Sequence, residues 1–162
     1  MLNLIPATFE HFTVRFLCPK DAEAYVAIER NPNVRRYVDG TASKSDEQIR
    51  ADVIRYQPTT EVMAIADAST DEYIGRCGLL PEHASNESEV YCLLAPNYWR
   101  RGIAVIVVPF LVRLAKSGGR APIGIVDAGN RASQALLAHL GYSSSGSITS
   151  RGYQNGHLKY LL

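Results

Sequence analysis

The chain has 162 residues, 46% of them hydrophobic and 20% charged, enough to bury one core and too few for a second domain of ordinary size, so a single domain over residues 1–162 is expected. A formal net charge of +1 removes any electrostatic case for nucleic acid or an anionic membrane surface as partner. No apolar run reaches membrane-spanning length, and the opening Met1-Leu2-Asn3-Leu4-Ile5-Pro6 is too short for a signal peptide, which predicts a cytoplasmic protein.

Residues 12–17 alternate as a first strand should. Pro19, with Asp21 just after it, suits the first turn of a helix that runs to Arg30 and is broken by Asn31-Pro32-Asn33. A second helix starts after Ser45, where Ser45 and Gln48 have capping-box spacing and Ile49 and Val53 form an apolar pair one turn apart; Pro58 closes it. Strands follow at Glu61 to Asp67, Glu72 to Leu80 and Ser88 to Leu94, parted by the polar stretches Ala68 to Asp71 and Glu82 to Glu87, which reads as a meander. From Gly102 to Lys116 the signals conflict. Val105-Ile106-Val107-Val108 is β-branched, and Pro109 inside a helix would cost about 3 kcal/mol, so propensity alone favours a strand there.

Beyond Gly118-Gly119 come a strand from Pro122 to Val126 and a helix from Arg131, with Asn130 as its N-cap, a stripe at Ala132, Leu136 and Leu140, and Gly141 as its stop. A strand from Tyr142 and a closing strand from His157 to Leu162 complete the chain, with Ser143 to Gly146 polar enough to be loop or edge strand. Cys18, Cys77 and Cys92 are odd in number, far apart and without ligand spacing, so reduced thiols and no metal site are expected, with Cys92 a buried small side chain.

The segment Asn97-Tyr98-Trp99-Arg100-Arg101-Gly102-Ile103-Ala104 carries the chemistry. Small residues at Gly102 and Ala104 let a turn run close to a ligand at a helix start, where free N–H groups make an anion cradle suited to a pyrophosphate. A second signal, Asn130-Arg131-Ala132-Ser133 leading to Leu140-Gly141-Tyr142, follows one strand later. In this order and spacing the chain resembles the GNAT superfamily of acyl-CoA N-acyltransferases, whose loop has Gln or Arg, two variable residues, Gly, one variable residue, then Gly or Ala. Trp99 in the first place, after Tyr98, is similar to the ribosomal-protein N-terminal acetyltransferase branch. So are Thr13-Val14-Arg15-Phe16-Leu17 with Pro19-Lys20-Asp21, Asn31 to Tyr37, and Tyr73 to Leu79, so the resemblance covers almost the whole chain.

The resemblance implies an α/β (α+β) fold: a mixed, mostly antiparallel sheet of about seven strands flanked by about four helices. It also turns Arg101 to Ser117 into a helix, kinked near Pro109. It implies acetyl-CoA as co-substrate and a primary amine as acceptor, foremost the N-terminal amine of a protein or peptide, in a monomer or homodimer. The cofactor would lie along the backbone of Leu93 and Leu94 and on Arg100, Arg101, Gly102, Ile103, Ala104, Val105, Asn130 and Ser133. Acyl transfer needs a neutral amine, a stabilised oxyanion and a proton for the departing thiolate. Glu89 matches the branch's acidic strand position and would be the base, the N–H of about Leu94 the oxyanion donor, and Ser133 the acid or partner of the sulfur. Tyr37 and Glu89 would meet the acceptor, with Arg35 and Arg36 nearby or simply on a solvated basic turn.

The chain departs from the pattern where other members place a Tyr acid (Leu137 here), a strand Tyr (Cys92) and a loop Glu (Ile106), while His139 reads as a boundary residue. The alternatives are a small-amine acceptor, such as a polyamine, amino acid or aminoglycoside, and a module that binds acyl-CoA without turnover.

Overall fold

A computed structural model describes residues 4–38, 43–81, 85–148 and 156–162. In chain order these form β1 (Ala7–Thr8), β2 (Phe12–Phe16), α1 (Ala22–Arg30), α2 (Pro32–Arg35), α3 (Asp46–Arg55), β3 (Met63–Asp67), β4 (Tyr73–Pro81) and β5 (Glu87–Leu94). Then come α4 (Ile103–Ser117), β6 (Ala121–Asp127), α5 (Arg131–His139), β7 (Ser144–Ile148) and β8 (His157–Leu161). Among the described residues, the strands form one mostly antiparallel 8-stranded sheet in the order β1-β2-β3-β4-β5-β6-β8-β7. This is the mixed α/β architecture expected, with β1 and α2 in addition. At 2 and 4 residues, both are too short to leave a periodic signal in the sequence. Of the polar stretch Glu82 to Glu87, residues 82–84 lie outside the described residues, as do residues 149–155.

Several boundaries differ from expectation, each for a local reason. The first turn after Cys18 is a 3-10 turn over Pro19–Asp21, and α1 follows it. Asn31 does more than break the chain: its side chain accepts from the N–H groups of Asn33 and Val34 and caps α2. Helix α4 begins at Ile103 rather than Arg101, because Arg100 (φ 60°) and Gly102 (φ 77°) stand in the left-handed region and cannot be helical. Pro109 does lie inside α4. The proline leaves the Val105 carbonyl without its helical donor, and Val105 is on the exposed side, where water can serve instead. The β-branched run forms helix because Ile103, Val107, Leu111 and Leu114 fall on one buried stripe, and tertiary packing outweighs propensity. The last strand before β8 starts at Ser144, not Tyr142, since the Tyr142 N–H donates to the Leu137 carbonyl at 2.9 Å and Gly141 (φ 84°) closes α5.

The chain divides into two compact units, Met1–Gly78 with Cys92–Ile103, and Leu79–Tyr91 with Ala104–Leu162. In the first, β2 pairs with β3 through Val14↔Ile65 and β3 with β4 through Ile65↔Gly75. Its core holds Ile49 and Val53 of α3, fully buried with Tyr25 and Val26 of α1. The Ser45–Gln48 capping box is present in both directions, at 3.3 and 2.8 Å.

A bidentate ion pair fixes the entry to α1: Arg15 Nη1 and Nη2 donate to Asp21 Oδ2 and Oδ1 at 2.8 and 2.9 Å, and the Cys18 N–H adds a third bond at 2.9 Å. Burial alone would raise the Asp21 carboxyl, but the bonds from Arg15 and Cys18 outweigh it and hold the group below the usual range. The pair therefore contributes stability above the unfolded-state value, and that contribution is lost as pH falls through the lower folded value. Asp21→Asn should cost about 2 to 3 kcal/mol in urea unfolding at pH 7, because the nearly buried guanidinium then keeps only Asp71, 2.7 Å from its Nε and half-exposed, as counter-charge. The gap to wild type should narrow below about pH 4, where the unfolded carboxylate already binds its proton.

In the second unit β5 and β6 run parallel, paired Glu87↔Ala121, Ser88↔Pro122 and Glu89↔Ile123. β6 pairs antiparallel with β8, and β8 with the edge strand β7. α5 lies on this sheet through Leu137: a Cβ on Gly124 would be 3.4 Å from its Cδ1 and 3.6 Å from Tyr160 Cβ.

Candidate functional site

The loop after β5 is shaped by its own residues. A 3-10 turn over Pro96–Tyr98 follows the strand, and Trp99 Nε1 donates to the Leu94 carbonyl at 2.8 Å, tying loop to strand end. The Arg101 guanidinium lies over the Tyr98 ring, 5.0 Å from its centroid, while Arg100 and Arg101 are both exposed. Left-handed backbone at Arg100 and Gly102 turns the chain into the first turn of α4, whose N–H groups have no acceptor one turn back. A Cβ on Gly102 would meet nothing within 4 Å. Glycine is thus required there by φ and not by packing against the protein, and the space in front of it is open, as an anion cradle needs.

Leu93 and Leu94, in the same unit, sit at a point of close backbone approach. A Cβ on Gly75 of β4 would stand 2.3 Å from the Leu93 carbonyl oxygen, and the Ala95 N–H donates to the Ile74 carbonyl at 2.9 Å. An isolated Gly inside a strand pattern is the sequence signal for such an approach, and Gly75 carried it unread.

Cys92 is intermediate in exposure as a residue, but its thiol is buried as expected, and that burial pushes the pKa up to about 12, so no thiolate is available near neutrality. Tyr37 is partly buried with the Arg36 guanidinium 5.3 Å from its ring centroid. Arg35 is no solvated turn residue. It is 14% exposed and pairs at 3.2 Å with the Glu29 carboxylate, itself 0% exposed and also 2.7 Å from Arg76 Nε. This three-residue ion cluster joins α1, α2 and β4, and nothing in the local sequence pattern announces it.

The second unit supplies the remaining expected residues. Glu89 is partly buried on β5, and burial pushes its carboxyl up to about 7. The ladder to β6 ends with Glu89↔Ile123, although β5 continues to Leu94 and β6 to Asp127. Ala104 and Val105 continue the first turn of α4, and Ile106 is exposed beside them. Asn130 Oδ1 accepts the Ser133 N–H at 3.1 Å, so the cap read from sequence is formed and Ser133 is held, partly buried, at the start of α5. Leu137 is a core residue, and His139 is exposed in the last turn of the helix.

Residues 11–143 match the family profile of the acetyltransferase (GNAT) domain. YoaA of Bacillus subtilis (strain 168), an uncharacterised N-acetyltransferase, is 31% identical over 157 residues, which cover 91% of this chain and 88% of that protein. The fold is also that of the spermidine N-acetyltransferase from Vibrio cholerae in complex with CoA and spermine, with a TM-score of 0.77 at 15% identity over 93% of this chain and 94% of that one. A Vibrio cholerae protein described as a ribosomal-protein-serine acetyltransferase gives 0.75 at 16% identity over 97% and 98%. At such identities the likeness to both structures is one of fold. Among the described residues, no helix is long and apolar enough to cross a membrane.

Proposed function

The chain belongs to the GNAT family of acetyltransferases, and from that premise we propose that it is a cytoplasmic acetyl-CoA-dependent N-acetyltransferase, one catalytic domain acting on the N-terminal amine of a protein or peptide. The observation that carries the acceptor reading is the Glu89 carboxyl, raised to about 7 by burial. A base poised there matches an α-amine of pKa near 8, already partly neutral in the cytoplasm, far better than a lysine amine near 10.4. The α4 first turn from Gly102 to Val105, with the guanidinium groups of Arg100 and Arg101, would hold the pyrophosphate; the backbone of Leu93 and Leu94, with Asn130, would hold the arm that follows. Bound acetyl-CoA supplies the thioester carbonyl to be attacked. Glu89 takes the amine proton directly or through water, and the Leu94 N–H faces the charge that develops on oxygen, a donor worth roughly 10²- to 10³-fold in rate. Ser133 hydrogen-bonds the sulfur, and Tyr37 bounds the acceptor.

A second reading keeps the cofactor and takes a small amine as acceptor, a possibility raised by the likeness in fold to a spermidine enzyme. Thiol release from acetyl-CoA separates the two, measured from pH 6 to 10 with a lysine-free peptide, an N-terminally blocked lysine peptide and spermidine. The proposal expects turnover of the free-N-terminus peptide, past half its plateau near pH 8 and level by about pH 9 as the neutral amine fraction saturates. Preference for the blocked peptide, with rates still rising toward pH 10, overturns it, and turnover of spermidine alone moves the assignment to the second reading.

A further inference from the structure

β4 carries glycine at 75 and 78, and neither place has room for a methyl group, but each is closed by a different neighbour. Besides its 2.3 Å approach to the Leu93 oxygen, a Cβ on Gly75 would stand 2.9 Å from Leu94 Cδ2 and 3.0 Å from Leu94 Cα. A Cβ on Gly78 would instead meet the segment before β3, 2.1 Å from the Glu61 carbonyl oxygen and 3.0 Å from that of Thr60. On the β3 side, the residue opposite Gly75 is Ile65, fully buried, so β4 has nowhere to retreat. Gly75 therefore sets how near the end of β5 lies to β4. The bonds there fix direction as well as distance. The Ala95 N–H points at β4, where it donates to the Ile74 carbonyl at 2.9 Å. Successive N–H groups of an extended strand point to opposite edges, so the Leu94 N–H is turned away from β4.

We propose that Gly75 is a positioning residue for acyl transfer: by letting the end of β5 lie against β4, it aims the Leu94 N–H at the thioester carbonyl. This rests on the reading of that N–H as oxyanion donor. Carbon and carbonyl oxygen ordinarily meet at about 3.3 Å, so a methyl group at 75 would push Leu93 and Leu94 outward by about 1 Å. A misplacement of that size costs about 100-fold in rate when it falls on a group aligned with the reacting atoms.

The test is difference infrared spectroscopy of bound acetyl-CoA, ¹³C-labelled at the thioester carbonyl, read beside kcat and CoA affinity. In the wild type the carbonyl band should lie below its position in free acetyl-CoA, because a hydrogen-bond donor polarises it. In Gly75→Ala the band should return toward the free position and kcat fall about 100-fold, while CoA affinity changes less than about 3-fold, since the first turn of α4 is untouched. Gly78→Ala is the control, equally crowded but against the segment before β3, and should keep the wild-type band with kcat within about 3-fold. Should Gly75→Ala fail to fold, Ala95→Pro moves the same strand end: a φ of −57° suits proline, and the ring removes the N–H that holds Ile74 and crowds its carbonyl. The same band shift and rate loss are expected of it. A wild-type band at the free position overturns the reading of Leu94 as donor and the proposal with it. A wild-type shift that the folded Gly75→Ala or Ala95→Pro variant preserves, or that Gly78→Ala loses equally, overturns the proposal alone.

Discussion

Replacing Glu89 by glutamine is expected to lower turnover about 100-fold at pH 7, leave CoA affinity unchanged, and make the folded protein more stable. The first effect follows from removing the only basic atom of a side chain whose size is kept. The stability gain follows from where the carboxyl titrates. Burial raises it to about 7, so the folded chain holds its proton more tightly than the unfolded chain, whose glutamates titrate near 4.3. Below pH 4 both states are protonated and the group costs nothing; the penalty grows as pH climbs through this window and is complete above 7, where it reaches up to about 3 kcal/mol. Glutamine carries no such penalty, so urea midpoints of variant and wild type should coincide at pH 4 and diverge at pH 8. A variant with wild-type rates at every pH would retire Glu89 from the mechanism.

Gly102→Val should weaken CoA binding by about 10- to 100-fold in calorimetry, through loss of charge-assisted bonds worth about 1.5 to 3 kcal/mol each. Two effects act together. At φ 77° a β-branched residue is strained, which pulls the loop toward another shape, and a side chain in the original shape would stand in open space in front of the α4 N–H groups. Because that Cβ meets no protein atom, the variant should still fold, with a stability loss of about 1 to 2 kcal/mol. Unchanged affinity in the folded variant would remove the cradle from the reading.

What was legible in the sequence was local. Ser45 with Gln48, Asn130 before Ser133, and Gly141 after α5 are interactions within a few residues, and each formed as read. Helix α4 could not be derived from its own residues: β-branching and Pro109 argue for a strand, and only burial of one stripe in the fold reverses that. The same limit hid the Glu29–Arg35–Arg76 cluster, assembled from α1, α2 and β4, and the Glu87–Lys159 pair, 72 residues apart. The elevated Glu89 carboxyl was equally out of reach, because an alternating strand with Glu at one position reads as a wet face until neighbours bury it.

Trp99 is the protein's single tryptophan, 44% exposed, with its indole N–H on the Leu94 carbonyl one step before the left-handed turn at Arg100. Excited at the red edge, where the nine tyrosines do not absorb, intrinsic emission from this protein is therefore a signal from one ring at the mouth of the loop. Any ligand that tightens or loosens that bond changes the ring's polarity and quenching, so the chain carries its own optical gauge of loop occupancy, with no dye or label to disturb it.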